Sequence, residues 1–330
     1  MENGWPQTRM PQTAPCLHES LRVVSERTPT ADLDSIQASV RKALAMPTRV
    51  DRVQVVVADR RAAAAAYTRL LDAQPVREDA VRSLAARRSI LRVGGSEIEL
   101  LEPDGAGVVS DFLAQTNGGL FAAGLATRDL ARLRAHLRAA RVEAAEEHGQ
   151  LFLSPDALGM PGLRAVISSD VEQAPAGFAR HLYEVTWLVH DFSAMLRKVA
   201  AVLALEATHF VPIRSGEFGY DGTLTLFHPQ RLDRIEIVTP NEPSKTMGRF
   251  FAKRGPCLYM CFAEADDLRP IRARLLEHAP DDWTGPRDVT LPDSLFIHPR
   301  ALAGMMLGVS RTSFAWTWSG HPERVVAAHA

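Results

Sequence analysis

The chain has 330 residues, a formal net charge of −1 and a hydrophobic content of 46%. That balance suits a folded protein of one large or two ordinary domains, and it gives no electrostatic reason to expect nucleic acid or a membrane surface as partner. No apolar run reaches the ~18 residues of a transmembrane helix, residues 1–15 lack the pattern of a signal peptide, and three cysteines (Cys16, Cys257 and Cys261) point to a reducing cytoplasm.

Residues 1–48 read as an extension. Prolines and polar residues run up to Thr30, and Leu33, Ile36, Val40 and Leu44 then fall at the spacing of a short amphipathic helix. Such a helix suits packing on the body or association into a homodimer.

From Val50 a longer period sets in. Four apolar runs each lead to an aspartate and then to a helical pattern. They are Val50–Val57 before Asp59, Leu120–Ala126 before Asp129, Leu182–Val189 before Asp191, and Leu258–Ala263 before Asp266 and Asp267. An aspartate there caps the free N–H groups of a helix start. Leu130, Leu133 and Leu137, or Leu268, Ile271 and Leu275, give the helices an apolar face.

The modules also end alike in pairs. Ile98-Glu99-Leu100-Leu101-Glu102-Pro103 matches Ile235-Glu236-Ile237-Val238-Thr239-Pro240, and Leu151-Phe152-Leu153-Ser154-Pro155 matches Leu295-Phe296-Ile297-His298-Pro299. Paired landmarks lie 132, 137, 138 and 144 residues apart, a duplication with loop insertions.

The expected fold is α+β: four βαβββ modules forming two similar domains, at 49–170 and 180–312, with a tail at 313–330. One helix per module leaves a sheet face uncovered. Two modules facing each other therefore make a cup, one in each domain.

Strand alternation puts Glu184, Thr186 and Leu188 on one face of the second cup, with Glu236, Val238, Met260 and Phe262. Two carboxylates in an apolar cup interact, and at least one is expected to have a raised pKa suited to general acid or base work. Glu184 and Glu236 are thus the candidate catalytic residues. The alternative is that each pairs with an arginine such as Arg214 or Arg234 and only supports the sheet.

His209–Phe227 reads as a hairpin turning at Gly219-Tyr220-Asp221-Gly222. It brings His209, Arg214 and Tyr220 to the cup's mouth, where Arg214 suits a substrate carboxylate or carbonyl. Thr186, Met260 and Phe262 complete the expected substrate-binding set. Cys257 and Cys261, ~13 Å apart along an expected strand, read as small core residues. His190 and His298 read as turn or surface residues, and Ser313–Trp318 as an added strand or lid with Phe314, Trp316 and Trp318 on one face.

These modules resemble the vicinal oxygen chelate superfamily, which includes glyoxalase I, methylmalonyl-CoA epimerase, extradiol dioxygenases and bleomycin-resistance proteins. The residues that carry the likeness are Val50-Asp51-Arg52-Val53 with Asp59, Gly119-Leu120-Phe121-Ala122 with Asp129-Leu130, the Ile-Glu-Leu-Leu-Glu-Pro ending, Gly255-Pro256, and Phe296-Ile297-His298-Pro299. The resemblance implies a metal centre built from the first and last strands of each module. Those positions fall on Arg52, Glu99, Ala122 and Arg164 or Ala165 in the first cup, and on Glu184, Glu236, Met260 and Gly308 in the second. Few of these bind a hard cation. No cofactor is expected; if any metal binds, it is Mg²⁺ or Mn²⁺ on Glu184 and Glu236.

The resemblance implies proton-transfer, lyase- or isomerase-like chemistry on a small oxygenated substrate in the C-terminal cup, with metal-independent action left open by the missing ligands. Two other readings stay open: a non-catalytic protein that sequesters a small molecule, and a metal-dependent dioxygenase.

Overall fold

The computed structural model describes residues 47–327. The first half runs β1 (Pro47–Val56), α1 (Arg60–Leu71), β2 (Gln74–Val81), β3 (Ala86–Val93) and β4 (Ser96–Pro103). A linking helix α2 (Val108–Thr116) leads to β5 (Gly119–Thr127), α3 (Leu130–Ala139), β6 (Ala145–Glu147), β7 (Gln150–Leu153), α4 (Pro155–Leu158) and β8 (Ala165–Ser169).

The second half repeats the plan. It has β9 (His181–Leu188), α5 (Phe192–Val202), β10 (Phe210–Ser215), β11 (Tyr220–Leu226) and β12 (Arg234–Pro240). After α6 (Thr246–Arg254) come β13 (Cys257–Ala265), α7 (Arg269–His278), β14 (Trp283–Thr284), β15 (Ser294–Ile297) and β16 (Met306–Arg311).

Each half folds into an eight-stranded sheet. The orders are β2-β3-β4-β1-β5-β8-β7-β6 and β10-β11-β12-β9-β13-β16-β15-β14, the same topology advanced by eight strands. The fold is therefore α+β with four βαβββ modules in two like domains.

The aspartates act as expected. Asp59 accepts from the N–H groups of Arg61 and Ala62, Asp129 from Arg132, and Asp191 from Ala194. Asp267 accepts from the Arg269 N–H at 2.8 Å.

One apolar core runs through both halves, from Tyr67 and Leu125 to Trp187 and Ile271. Helices α1 and α7 meet across the junction. Buried polar groups stitch it: the Tyr67 hydroxyl donates to the Leu302 carbonyl at 3.0 Å, the Trp187 indole to Pro161 at 3.0 Å, and the Val50 N–H to Asp233 at 2.9 Å. An unpaired polar group in such a core costs roughly 1–3 kcal/mol, so these bonds fix the relation of the two domains.

Three expectations need correction. The hairpin turns at Gly216–Gly219, with Ser215 opposite Tyr220, three residues before the expected place. Gly219 takes φ 70° there, whereas Gly222 lies inside β11, where a Cβ would come within 2.5 Å of Val238. Second, the tail makes 3₁₀ turns, Phe314–Trp318 and Pro322–Arg324, and Ala315 and Trp316 pack on Tyr183 and Leu226 of the second sheet. Phe314, Trp316 and Trp318 therefore do not alternate as on a strand. Third, bulges interrupt the two-residue period between Val50 and Arg52 and at Tyr183. The helix expected around Leu33–Leu44 lies outside the described residues.

Candidate functional site

The register of the sheets sets matching positions side by side. In the first half Arg52 stands beside Glu97 and Gln54 beside Glu99. In the second, Glu184 stands beside Arg234 and Thr186 beside Glu236. The inner pair is thus an arginine and a glutamate in both halves, with the charges exchanged between strands.

The first cup is filled by charge. Arg52 donates to Asp51, Glu97, Glu99 and Ser168 at 2.7–3.0 Å. Arg88, wholly buried, donates to both oxygens of Asp79 at 2.8 Å, to Glu99 at 3.0 Å and to Gln150 at 2.6 Å. Gln54 and Gln150 also donate to Glu99, at 2.7 and 2.9 Å. Burial alone would raise the Glu99 pKa, but the two guanidinium groups outweigh it and bring it down to about 2. This carboxylate is saturated, and it has no capacity left for a proton or a ligand near neutral pH.

The second cup holds the same glutamate in the opposite state. Glu236 accepts from the Thr186 hydroxyl at 2.6 Å and the Tyr220 hydroxyl at 3.4 Å. Arg234 spends its Nε on Glu184 at 2.5 Å and gives Nη1 to the Leu232 carbonyl at 3.3 Å. Its Nη2 is buried without a partner, and its Cζ lies 5.0 Å from the centre of the Tyr183 ring. Glu236 therefore touches no cation among the described residues. Burial first, then the nearby charge of Glu184, push its pKa up to about 8, against the smaller opposing pull of Thr186, Arg234 and Tyr220.

The cause of the difference lies on the neighbouring strands. Arg88 sits opposite Leu101 in the first sheet, and Gly222 sits opposite Val238 in the second. Gln54 is matched by Thr186. Gln150, just before Leu151, is matched by Ser294, just before Leu295. One half thus has an arginine and two amides about its glutamate where the other has a glycine and two hydroxyl residues.

Of the residues singled out from sequence, Glu184, Glu236, Thr186 and Tyr220 come together, with Met260 beside Thr186 across the β9–β13 pair. Phe262 lies next in that row, and its ring is wrapped by Tyr183, Phe296 and Trp318 at centroid distances of 5.8–6.3 Å. Arg214 points outward, 80% exposed, and pairs with Asp221. His209 ends the 3₁₀ turn before β10, its ring 6.4 Å from that of His228. Neither joins the carboxylates: Arg214 lies on the solvent side of the edge strand β10, and His209 lies before that strand begins. Arg234 entered the sequence reading only as a supporting partner of a glutamate, and its counterpart in importance in the first half is Arg88. Both are central and fully buried.

These residues do not fit the metal centre that the resemblance implies. Among the described residues no group of three or more His, Cys, Asp or Glu side chains converges as a cation site. In the first cup a guanidinium occupies the centre, and Gly124 leaves room for it, since a Cβ there would lie 2.0 Å from the Arg52 side chain. In the second, Glu184 is committed to Arg234, and the Phe262 ring lies where a side chain at Gly308 would go, 2.2 Å from an added Cβ.

Residues 51–151 match the family model described as the Glyoxalase/Bleomycin resistance protein/Dioxygenase superfamily. Over 80–81% of its length the chain also resembles solved structures. A mutant of 4-hydroxymandelate synthase from Streptomyces coelicolor superimposes with a TM-score of 0.60 at 13% identity, over 80% of this chain and 92% of that one. The chain has the vicinal oxygen chelate fold. An Mn(II)-bound glyoxalase from Novosphingobium aromaticivorans gives 0.51 at 18% identity, over 81% and 82% of the two chains. A xylose isomerase-like TIM barrel/4-hydroxyphenylpyruvate dioxygenase fusion protein gives 0.54 at 12% identity, over 81% of this chain and 49% of that one. No curated protein matches in sequence. At such identities the vicinal oxygen chelate likeness extends to the fold alone.

Proposed function

We propose that the C-terminal cup of this vicinal oxygen chelate protein performs proton transfer, isomerase- or lyase-like, on a small oxygenated organic substrate, with Glu236 as the acid–base group. The observation that carries the reading is the setting of that carboxyl, buried with hydroxyl partners and no cation in contact among the described residues, where burial and the charge of Glu184 push its pKa up to about 8. An acid–base group works best when its pKa lies close to the working pH.

Glu236 as carboxylate takes a proton from carbon next to a carbonyl and returns it to that carbon or its neighbour. Tyr220, half-buried and with its own pKa pushed well up by burial, stays protonated and is the ring that substrate displaces. The free Nη2 of Arg234 is the donor left for a substrate oxygen. Glu184 neutralises Arg234 and positions it.

A panel of small oxo acids and esters, incubated with the full chain in D₂O and followed by proton NMR, tests this without knowledge of the product. The expected result is exchange at carbon that Glu236→Gln abolishes, with kcat/KM rising up to about pH 8 as the carboxylate forms. Exchange that survives in Glu236→Gln would refute the role. A binding protein without turnover is the second reading, favoured by the depth at which Glu236 lies. It predicts ligand retention by wild type and variant alike, and exchange by neither.

A further inference from the structure

A second hollow lies outside both cups. It is a cleft of about 1140 Å³ between the halves, walled by α1 and α2 on one side and by α6 and the start of β13 on the other. Two edge-to-face aromatic pairs line it. Phe112 and Phe121 come from the first half, with centroids 5.1 Å apart at 81°, and Phe250 and Tyr259 from the second, 5.0 Å apart at 67°.

Between these apolar walls stands one guanidinium that, among the described residues, has neither a hydrogen-bond partner nor an ion pair. Arg164, at the entrance to β8, lines the cleft and is only partly exposed. Its Cζ lies 4.8 Å from the centre of the Phe121 ring, and its guanidinium makes no hydrogen bond or ion pair with any described residue. Desolvation lowers its pKa, and the distant charge of Asp156 only partly offsets that. A guanidinium has five donors in a rigid fork suited to a carboxylate. Every other arginine at the heart of the first half spends its donors on acids, as Arg52 and Arg88 do. The other charged groups on the cleft are engaged: Arg254 donates to the Thr116 carbonyl at 2.6 Å, Arg300 pairs with Asp282 at 3.4 Å, and Asp59 caps α1.

We propose that this cleft is a binding site for an amphipathic monoanion, a carboxylate on a flat apolar body, with Arg164 holding the carboxylate and the two aromatic pairs holding the body. The volume suits a ligand of drug-like size. A ring slid between Phe121 and Phe250 leaves its acid group facing the unused fork. The site stands on the cleft alone and does not depend on the role of Glu236.

The test is a calorimetric titration of the full chain with 2-naphthoate and with its neutral twin, 2-naphthamide. The acid is expected to bind about tenfold more tightly than the amide. Arg164→Gln is expected to erase that preference with only a small fall in the thermal midpoint, since it removes the contact with the Phe121 ring but no hydrogen bond. Ala62→Trp, on the exposed cleft face of α1, is expected to block both ligands. Glu236→Gln is expected to bind the acid as wild type does. Equal affinity for acid and amide, a preference that persists in Arg164→Gln, or no binding at about millimolar ligand would overturn the proposal. Loss of acid binding in Glu236→Gln would also overturn it, by placing the ligand in the cup.

Discussion

Replacing Glu236 by glutamine should change how stability depends on pH, and the sign follows from the raised pKa. In the unfolded chain this carboxyl titrates near its ordinary 4.5, and in the folded chain near 8. Between those values the folded protein holds a proton that the unfolded chain has released, so the contribution is fully present below about pH 4.5 and is lost as pH rises through about 8. Each pH unit in that window removes up to ~1.4 kcal/mol, so stability should fall by roughly 2 kcal/mol between pH 6.5 and pH 8.

Other shifted groups, among them His228 and Glu264, are common to wild type and variant and drop out of the comparison. Asp233 is raised to about 6, His181 is lowered to about 4, and Cys257 is raised to about 11. Urea unfolding at pH 6.5, 7.25 and 8, on wild type and Glu236→Gln, reads the difference. The wild type should weaken with pH more steeply than the variant, by roughly 2 kcal/mol over the window. Equal slopes in the two proteins would show that Glu236 does not hold its proton, and the reasoning would fail.

Further expectations concern the same framework. Glu184→Gln and Arg234→Met should each destabilise the fold by about 3–5 kcal/mol, because each strands a buried partner. The exchanged pair Glu184→Arg with Arg234→Glu, which copies the Arg52–Glu97 arrangement, should recover part of that loss in a denaturation-based double-mutant cycle. Glu99→Gln should flatten the acid limb of stability, since Glu99, held at about 2, contributes above about pH 4.5 and loses that contribution as pH falls through about 2. Thr186→Val should raise the Glu236 pKa further, because the hydroxyl bond at 2.6 Å favours the charged form; a pH titration of that carboxyl checks it.

The duplicated architecture was legible because its signals are local. Asp59, Asp129 and Asp191 cap helices next to the strands they follow, and alternation along β12 puts Glu236 and Val238 on one face. The poor fit to a metal was legible too, from Arg52, Met260 and Gly308 at the implied positions. The pairing of Glu184 with Arg234 was one of two open alternatives.

What could not be read was anything set by neighbours across the sheet. The contrast between Glu99 and Glu236 depends on Arg88 and Gly222, each on an adjoining strand, and no motif ties either to the glutamate. The bulge at Asp51 lets it and Arg52 both reach Ser168, which a strict two-residue period forbids. Arg164 was noticed only as a position without a metal ligand, since its want of a hydrogen-bond or ion-pair partner among the described residues depends on how the two halves pack.

The most direct check is an infrared titration of the carboxyl band that disappears in Glu236→Gln. A protonated C=O stretch that persists at pH 7 and is lost with a midpoint near 8 would agree with an uncompensated acid in the C-terminal cup. A group already ionised at pH 5 would mean that a cation neutralises it, as in the N-terminal cup, and the functional contrast between the halves would collapse.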